Sequence, residues 1–278
     1  MQLLQSYIDS VINTALEEDI TYVDVTTDYL IAEDAVSTAR LIAKEDGMIC
    51  GLDVAARVFD LVGGGVQFEK NVEEGDLVAR GDLIATLTGN TRTLLKGERT
   101  ALNLLQHMSG IATATFECKR RIKGYTKVTD TRKTLPGLRR LQKYAVTVGG
   151  GYNHRYNLSD GAMLKDNHID ACGGITEAVE RLRRHIGHMT KIEVEVRTME
   201  ELQEALATGC EIIMLDNMSP AQMKEAVEIT AGRAMLEASG NITVDNIAEV
   251  AETGVDIISL GALTHSVKCF DISMRFDK

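Results

Sequence analysis

Short apolar runs punctuate the second half of the chain at residues 125–129, 161–164, 191–196, 211–215, 234–237 and 255–260, with helical periodicity between them. Each run ends at a charged or phosphate-competent position: Asp130 and Arg132, Lys165, Glu195 and Arg197, Asp216, Glu237 and Ser239, then Ser259 and Gly261. Such alternation predicts parallel strands joined by crossovers, and a closed ring of them turns every strand C-terminus to one face. Barrel enzymes keep their chemistry on that face, and a purely structural barrel needs no repeated polar residue there. Between residues 191 and 197 the alternation is strict, with Ile192, Val194 and Val196 on one face and Glu193, Glu195 and Arg197 on the other. Helices are expected over the apolar face. The acidic face must then point into the barrel, where water, a cation or a substrate can satisfy it. The visible strands are fewer than the eight of a complete barrel, so either some are unrecognised or the barrel is incomplete.

The first third has a different rhythm. Leu3, Leu4, Ile8, Val11, Ile12, Ala15 and Leu16 recur at helical spacing and predict an amphipathic helix. Residues 37–43 read as a strand and 53–61 as a helix, closed by Gly63, Gly64 and Gly65. Residues 72–84 alternate apolar pairs with acidic-glycine turns, as small β-hairpin sandwiches do. A long helix from about residue 95 to 122 carries the chain into the βα units. An N-terminal domain over residues 1–100 is therefore expected, rejoined by residues 265–278, with the barrel over 101–264.

Bulk properties narrow the reading. The chain has 278 residues, 44% hydrophobic and 26% charged, enough for one barrel and a small second domain. Its net charge of -11 opposes a nucleic-acid or anionic-membrane partner, so any polyanion site must be local. The five cysteines, Cys50, Cys118, Cys172, Cys210 and Cys269, are odd in number and scattered without a CxxC pair. Neither a disulfide framework nor a thiolate zinc site is indicated, and a cytoplasmic location is expected. The N-terminal segment shows neither signal-peptide nor membrane-span character.

The densest candidate chemistry is Thr131-Arg132-Lys133-Thr134-Leu135-Pro136-Gly137, followed by Gly149-Gly150-Gly151-Tyr152-Asn153-His154-Arg155. Arginine forks and lysine point charges together suit a polyanion. Lys165, within Leu164-Lys165-Asp166-Asn167-His168, could form a Schiff base or bind phosphate, and the residues alone leave its role open. His154 and His168 could each be an acid, a base or a structural group. His185 and His188 read as solvent-exposed on a charged helix. Glu195 and Asp216 end consecutive strands, and such a pair beside phosphate suits Mg²⁺ or ribose hydroxyls. Two glycine turns, Ser239-Gly240-Asn241 and Leu260-Gly261-Ala262, leave late strands. The first is expected to enter a helix at 243–251, and backbone N–H groups at such turns bind phosphate.

These segments, with Glu98-Arg99-Thr100-Ala101-Leu102-Asn103, Ile192 to Val196 and Ile258 to Ser266, resemble the quinolinate phosphoribosyltransferase family over essentially the whole chain. The resemblance implies an α/β fold, an N-terminal α/β sandwich domain and an incomplete α/β barrel. It implies transfer of phosphoribosyl from phosphoribosyl pyrophosphate to quinolinate with decarboxylation, giving nicotinate mononucleotide, pyrophosphate and CO₂ for NAD synthesis. Arg99, Arg132, His154 and Arg155 would hold the quinolinate carboxylates, near Thr134. Lys133 and Lys165 would act at the quinolinate and pyrophosphate end. Glu195 and Asp216 would serve the ribose hydroxyls and Mg²⁺, and Ser239, Gly240, Asn241, Leu260, Gly261 and Ala262 the 5′-phosphate. Lys133, Lys165, Glu195 and Asp216 form the implied catalytic set. A homodimer or higher oligomer is implied, with Arg99 reaching the neighbouring subunit's site. Asn241 stands where many members have glycine. The competing readings are a homologue of the same fold associated with molybdenum transport, a Schiff-base aldolase using Lys165, and a non-catalytic phosphoribosyl-ligand sensor. Lys165 itself favours the quinolinate enzyme over the transport homologue.

Overall fold

A computed structural model describes residues 3–277. The chain opens with α1 (Gln5–Asp19), α2 (Thr27–Leu30), β1 (Val36–Ala43), β2 (Gly47–Met48) and α3 (Leu52–Val62). β3 (Gln67–Lys70), β4 (Leu77–Val78), β5 (Leu83–Asn90) and α4 (Thr91–Arg121) follow. Next come β6 (Lys127–Thr129), α5 (Arg139–Val148), β7 (Ala162–Leu164), α6 (Asp166–Cys172), α7 (Ile175–Arg183) and β8 (Ile192–Val196). The remainder is α8 (Met199–Ala207), β9 (Ile212–Asp216), α9 (Pro220–Thr230), β10 (Met235–Ser239), α10 (Ile247–Glu252), β11 (Ile257–Ser259), α11 (Ala262–His265) and β12 (Ile272–Phe276).

These elements group into two compact units. The first comprises residues up to Phe116, Leu135–Gly150 and Thr264 onward; the second is Glu117–Thr134 with Gly151–Leu263. The first holds an antiparallel sheet of order β12-β1-β5-β3, so the last strand pairs with the first. Its core is apolar: Ile12, Leu41, Phe59, Leu87, Leu105 and Met108 are fully buried. α5 lies between β6 and β7 in the chain yet belongs to this unit.

The second unit holds six parallel strands in the order β6-β11-β10-β9-β8-β7. The ring is incomplete between β6 and β7, where no strand among the described residues pairs the two. The segment after Gly151 takes that place. Tyr152 N–H donates to Val128 at 2.8 Å, and Arg155 Nη1 donates to the Gly161 carbonyl beside β7 at 2.8 Å. Local sequence explains the crossovers. Thr198 caps α8 by accepting from Glu201 N–H, and Ser219 and Gln222 form a capping box for α9 with Pro220 in its first turn. In β8, Ile192, Val194 and Val196 are fully buried, and on the opposite face Glu193 is 4% exposed. The barrel interior is thus polar, with Thr129, Asp130, Glu193, Glu237 and Ser259 all buried.

Candidate active site

The C-terminal ends of all six barrel strands border one cavity of about 280 Å³. Its lining is Thr131, Arg132 and Lys133 after β6, His154 and Arg155, Met163 and Lys165 at β7, and Glu195 on β8. Met214 and Asp216 come from β9, Glu237 and Ser239 from β10, and Ser259 from β11. Strand ends spaced along more than 100 residues of sequence converge here because parallel strands in register align their C-termini. Ser239 lies opposite Asp216 in that register, and Ser259 opposite Thr129.

The charges are sorted within the cavity. Lys165 Nζ meets Glu195 Oε2 at 2.9 Å, so the lysine is ion-paired rather than set in an apolar pocket. Asp216 accepts from Asn217 Nδ2 at 3.0 Å, and Asn217 in turn accepts from Asn241 Nδ2 at 2.9 Å. This relay fixes the carboxylate from the neighbouring strand end. Gly240 and Asn241 are both left-handed, with φ 94° and 52°. Asparagine tolerates that region, so the turn keeps a glycine-like backbone at Asn241. A side chain on Gly240 would also overlap the Asn217 amide.

Below the cations lies a buried cluster. His154 Nε2 is 3.1 Å from Glu193 Oε2 and 3.6 Å from Glu237 Oε1. Its Nδ1 accepts from Arg155 N–H at 2.8 Å, which places the ring proton on Nε2, facing the carboxylates. The donor atoms of His154, Glu193 and Glu237 lie within 4.8 Å of one another, a spacing a metal could span. With Nε2 protonated, however, no imidazole lone pair faces the centre, and the cluster is built to hold a proton. Burial, reinforced by the charge of Glu193, raises the Glu237 carboxyl to about 7. Burial likewise lowers the Arg155 pKa, helped by repulsion from Arg132 and opposed by Glu193.

Several expected residues lie elsewhere. Arg197, in the bend after β8, pairs with Glu201 in the first turn of α8 and does not line the cavity. His168 Nδ1 accepts from Lys165 N–H and caps α6. His185 and His188 are exposed but follow α7, which ends at Arg183. The helix expected at 243–251 begins only at Ile247, because Asn246 Oδ1 caps the Thr243 N–H in an intervening turn. α10 and α11 span six and four residues, too short for a helix N-terminus to act as the anion site. Arg99 is exposed on α4 in the other unit. Conversely, Met163, Met214 and Asn217 were not singled out by sequence. The methionines stand two residues before Lys165 and Asp216, where strand alternation directs them into the barrel.

Comparison with known proteins decides the family. Residues 24–109 and 111–275 match the models of the quinolinate phosphoribosyl transferase N-terminal and C-terminal domains. The chain belongs to the quinolinate phosphoribosyltransferase family. It is 45% identical to a probable carboxylating nicotinate-nucleotide pyrophosphorylase of Bacillus subtilis, covering 96% of this chain and 92% of the relative. The corresponding Mycobacterium leprae enzyme is 44% identical, with 95% of each chain covered. The structure of NadC from Streptococcus pyogenes superposes with a TM-score of 0.95 at 43% identity, over 99% of this chain and 98% of that one. Members of the family thus share both units of this fold.

Proposed function

We propose that the cavity joins quinolinate to phosphoribosyl pyrophosphate with decarboxylation, giving nicotinate mononucleotide, pyrophosphate and CO₂ in NAD biosynthesis. The observation that carries the reading is the meeting of Arg132, Lys133, Arg155 and Lys165 with Glu195 and Asp216 in one cavity of a chain of this family. Four cations exceed what one carboxylate requires and suit a diacid beside a pyrophosphate. The ring nitrogen attacks the anomeric carbon as pyrophosphate leaves, which builds positive charge on the ribose. Loss of CO₂ then puts an electron pair on the ring carbon beside the newly cationic nitrogen. Positioning and electrostatic stabilisation account for most of what the protein supplies.

In this reading Arg132 and Arg155 hold the carboxylates, with Thr134 alongside. His154, whose ring is held between Arg155 N–H and Glu193, positions Arg155 from the floor. Lys133 and Lys165 stabilise the anionic groups of the leaving pyrophosphate. The backbone turns at Ser239, Gly240 and Asn241, and at Leu260, Gly261 and Ala262, cradle the 5′-phosphate. Glu195 and Asp216 are hard oxygen donors at adjacent strand ends and fit Mg²⁺, which shares its ligands with substrate. When bound there, Mg²⁺ neutralises charge on the pyrophosphate. Schiff-base lysines are desolvated in apolar sites, whereas Lys165 is exposed and ion-paired, which disfavours the aldolase reading.

Arg99 completes the set from a partner subunit in a two-fold dimer, so that each subunit supplies an arginine to the other. The five cysteines are all free, which suits a reducing cytoplasm. No helix among the described residues is long and apolar enough to cross a membrane. Incubation with quinolinate, phosphoribosyl pyrophosphate and Mg²⁺, followed by chromatography for nicotinate mononucleotide, tests the reading; absence of that product refutes it.

A further inference from the structure

Loss of CO₂ leaves an electron pair on the ring carbon, and that carbon must receive a proton before nicotinate mononucleotide can leave. The cavity holds few groups suited to giving one. Lys165 is ion-paired with Glu195, and His154 directs its Nε2 proton to Glu193. Glu237 is different. Its side chain lines the cavity floor at 2% exposure, and its Oε1 is buried without a hydrogen-bond partner.

We propose that Glu237 is the acid that protonates the ring carbon vacated by CO₂. The inference rests on the reaction assigned above. The bond between the ring carbon and its carboxylate breaks and leaves its electron pair on the carbon as CO₂ departs. The O–H bond of the Glu237 carboxyl then breaks, a C–H bond forms, and Glu237 is left as a carboxylate. Solvent returns the proton for the next turnover.

The surroundings of Glu237 keep it an acid. From β8 the Glu193 carboxylate faces it, and Asp130 adds negative charge from the end of β6. His154 approaches at 3.6 Å and favours the ionised form, as does the Ser259 hydroxyl from β11. On β9 its register partner is Met214, which brings no charge. Burial and the neighbouring carboxylates outweigh the opposing pair, so the carboxyl titrates at about 7, suited to an acid working near neutrality. Glu237 also lines a second cavity of about 350 Å³ beneath the cluster, bordered by Lys191, Ile212 and Ile257 at the strand N-termini. That cavity gives solvent protons a path to Glu237 from the side opposite the substrate.

Glu237→Gln keeps the side-chain shape and removes the transferable proton. The expected result is a loss of about 100-fold or more in kcat, on the scale of general acid catalysis, with KM for both substrates within about threefold of wild type. Wild-type kcat should fall as pH rises past neutrality, because the acid form is consumed, whereas the residual activity of Glu237→Gln should show no such limb. Glu237→Asp should restore part of the rate together with the limb. A kcat within about threefold of wild type, or a reduced rate with the alkaline limb intact, overturns the proposal. Glu193→Gln gives an independent check, since removing the neighbouring charge should move the wild-type limb to lower pH; an unmoved limb also overturns it. Should the wild-type protein release no CO₂ from quinolinate in the same assay, the assigned reaction itself falls, and this proposal with it.

Discussion

Replacing Arg155 by alanine isolates the recognition of the second carboxylate. The guanidinium is held in place before any ligand arrives, by the Gly161 carbonyl at 2.8 Å and the Met163 sulfur at 3.6 Å, so little conformational freedom is lost on binding. A hydrogen bond to a charged group contributes about 1.5–3 kcal/mol, which converts to a loss of roughly 10- to 150-fold in quinolinate affinity. Alanine also leaves Glu193 without its cationic neighbour, which adds repulsion toward a diacid and places the expectation in the upper part of that range. Phosphoribosyl pyrophosphate, placed by the proposal toward Lys165, Glu195 and Asp216, should keep its affinity within about twofold. Calorimetric titration of each substrate separately measures both. Nicotinate, with one carboxylate, should lose less than quinolinate, so the preference for the diacid should shrink by the difference. Equal losses for both substrates, or unchanged quinolinate affinity, would refute the placement of Arg155.

Other substitutions test the rest of the site. Lys165→Ala and Lys133→Ala should each lower turnover by at least one contact's worth, about 10- to 150-fold, and Lys165→Arg should not restore it fully, because a flat fork replaces a point charge beside Glu195; near-normal rates in both alanine variants would place the chemistry elsewhere. Asp216→Asn and Glu195→Gln should weaken phosphoribosyl pyrophosphate more than quinolinate and raise the Mg²⁺ needed for half-maximal rate; equal effects on both substrates, or turnover indifferent to Mg²⁺, would count against a metal at these carboxylates. Mixing inactive Arg99→Ala with inactive Lys165→Ala chains should regain activity, since one site of each mixed dimer carries neither defect; exchange of subunits without recovery would place Arg99 outside the partner's site.

The parts of the fold that could be read from sequence were those fixed by short-range pattern. Alternation in residues 191–197 foretold both the buried Ile192, Val194 and Val196 and the inward Glu193, because side-chain direction in a strand follows from position alone. Strand-end residues such as Lys165, Glu195, Asp216, Ser239 and Ser259 converged as expected, since parallel register brings C-termini together whatever lies between them, whereas Arg197 turned away to Glu201. Features that depend on partners distant in sequence were less visible. α5 buries Leu141, Ala145 and Val146, and its periodicity gives the apolar face but not the unit it packs with. Asn217 follows Asp216 as an ordinary polar residue, and its part in holding that carboxylate emerges only once Asn241 is beside it. The turn after Ser239 reads as entering a helix at 243, yet the Asn246 side chain takes the Thr243 N–H and the helix starts only at Ile247. The role proposed for Arg99 rests on family resemblance alone, since nothing in its local pattern points to a barrel mouth.

The central claim is that this cavity removes one carboxylate of quinolinate while attaching the phosphoribosyl group. Quinolinate carrying carbon-13 in the carboxylate beside the ring nitrogen, incubated with phosphoribosyl pyrophosphate, Mg²⁺ and the protein, should give labelled CO₂ and unlabelled nicotinate mononucleotide in equal amounts, with one pyrophosphate per turnover. A product that keeps the label, or pyrophosphate release without labelled CO₂, would contradict the account.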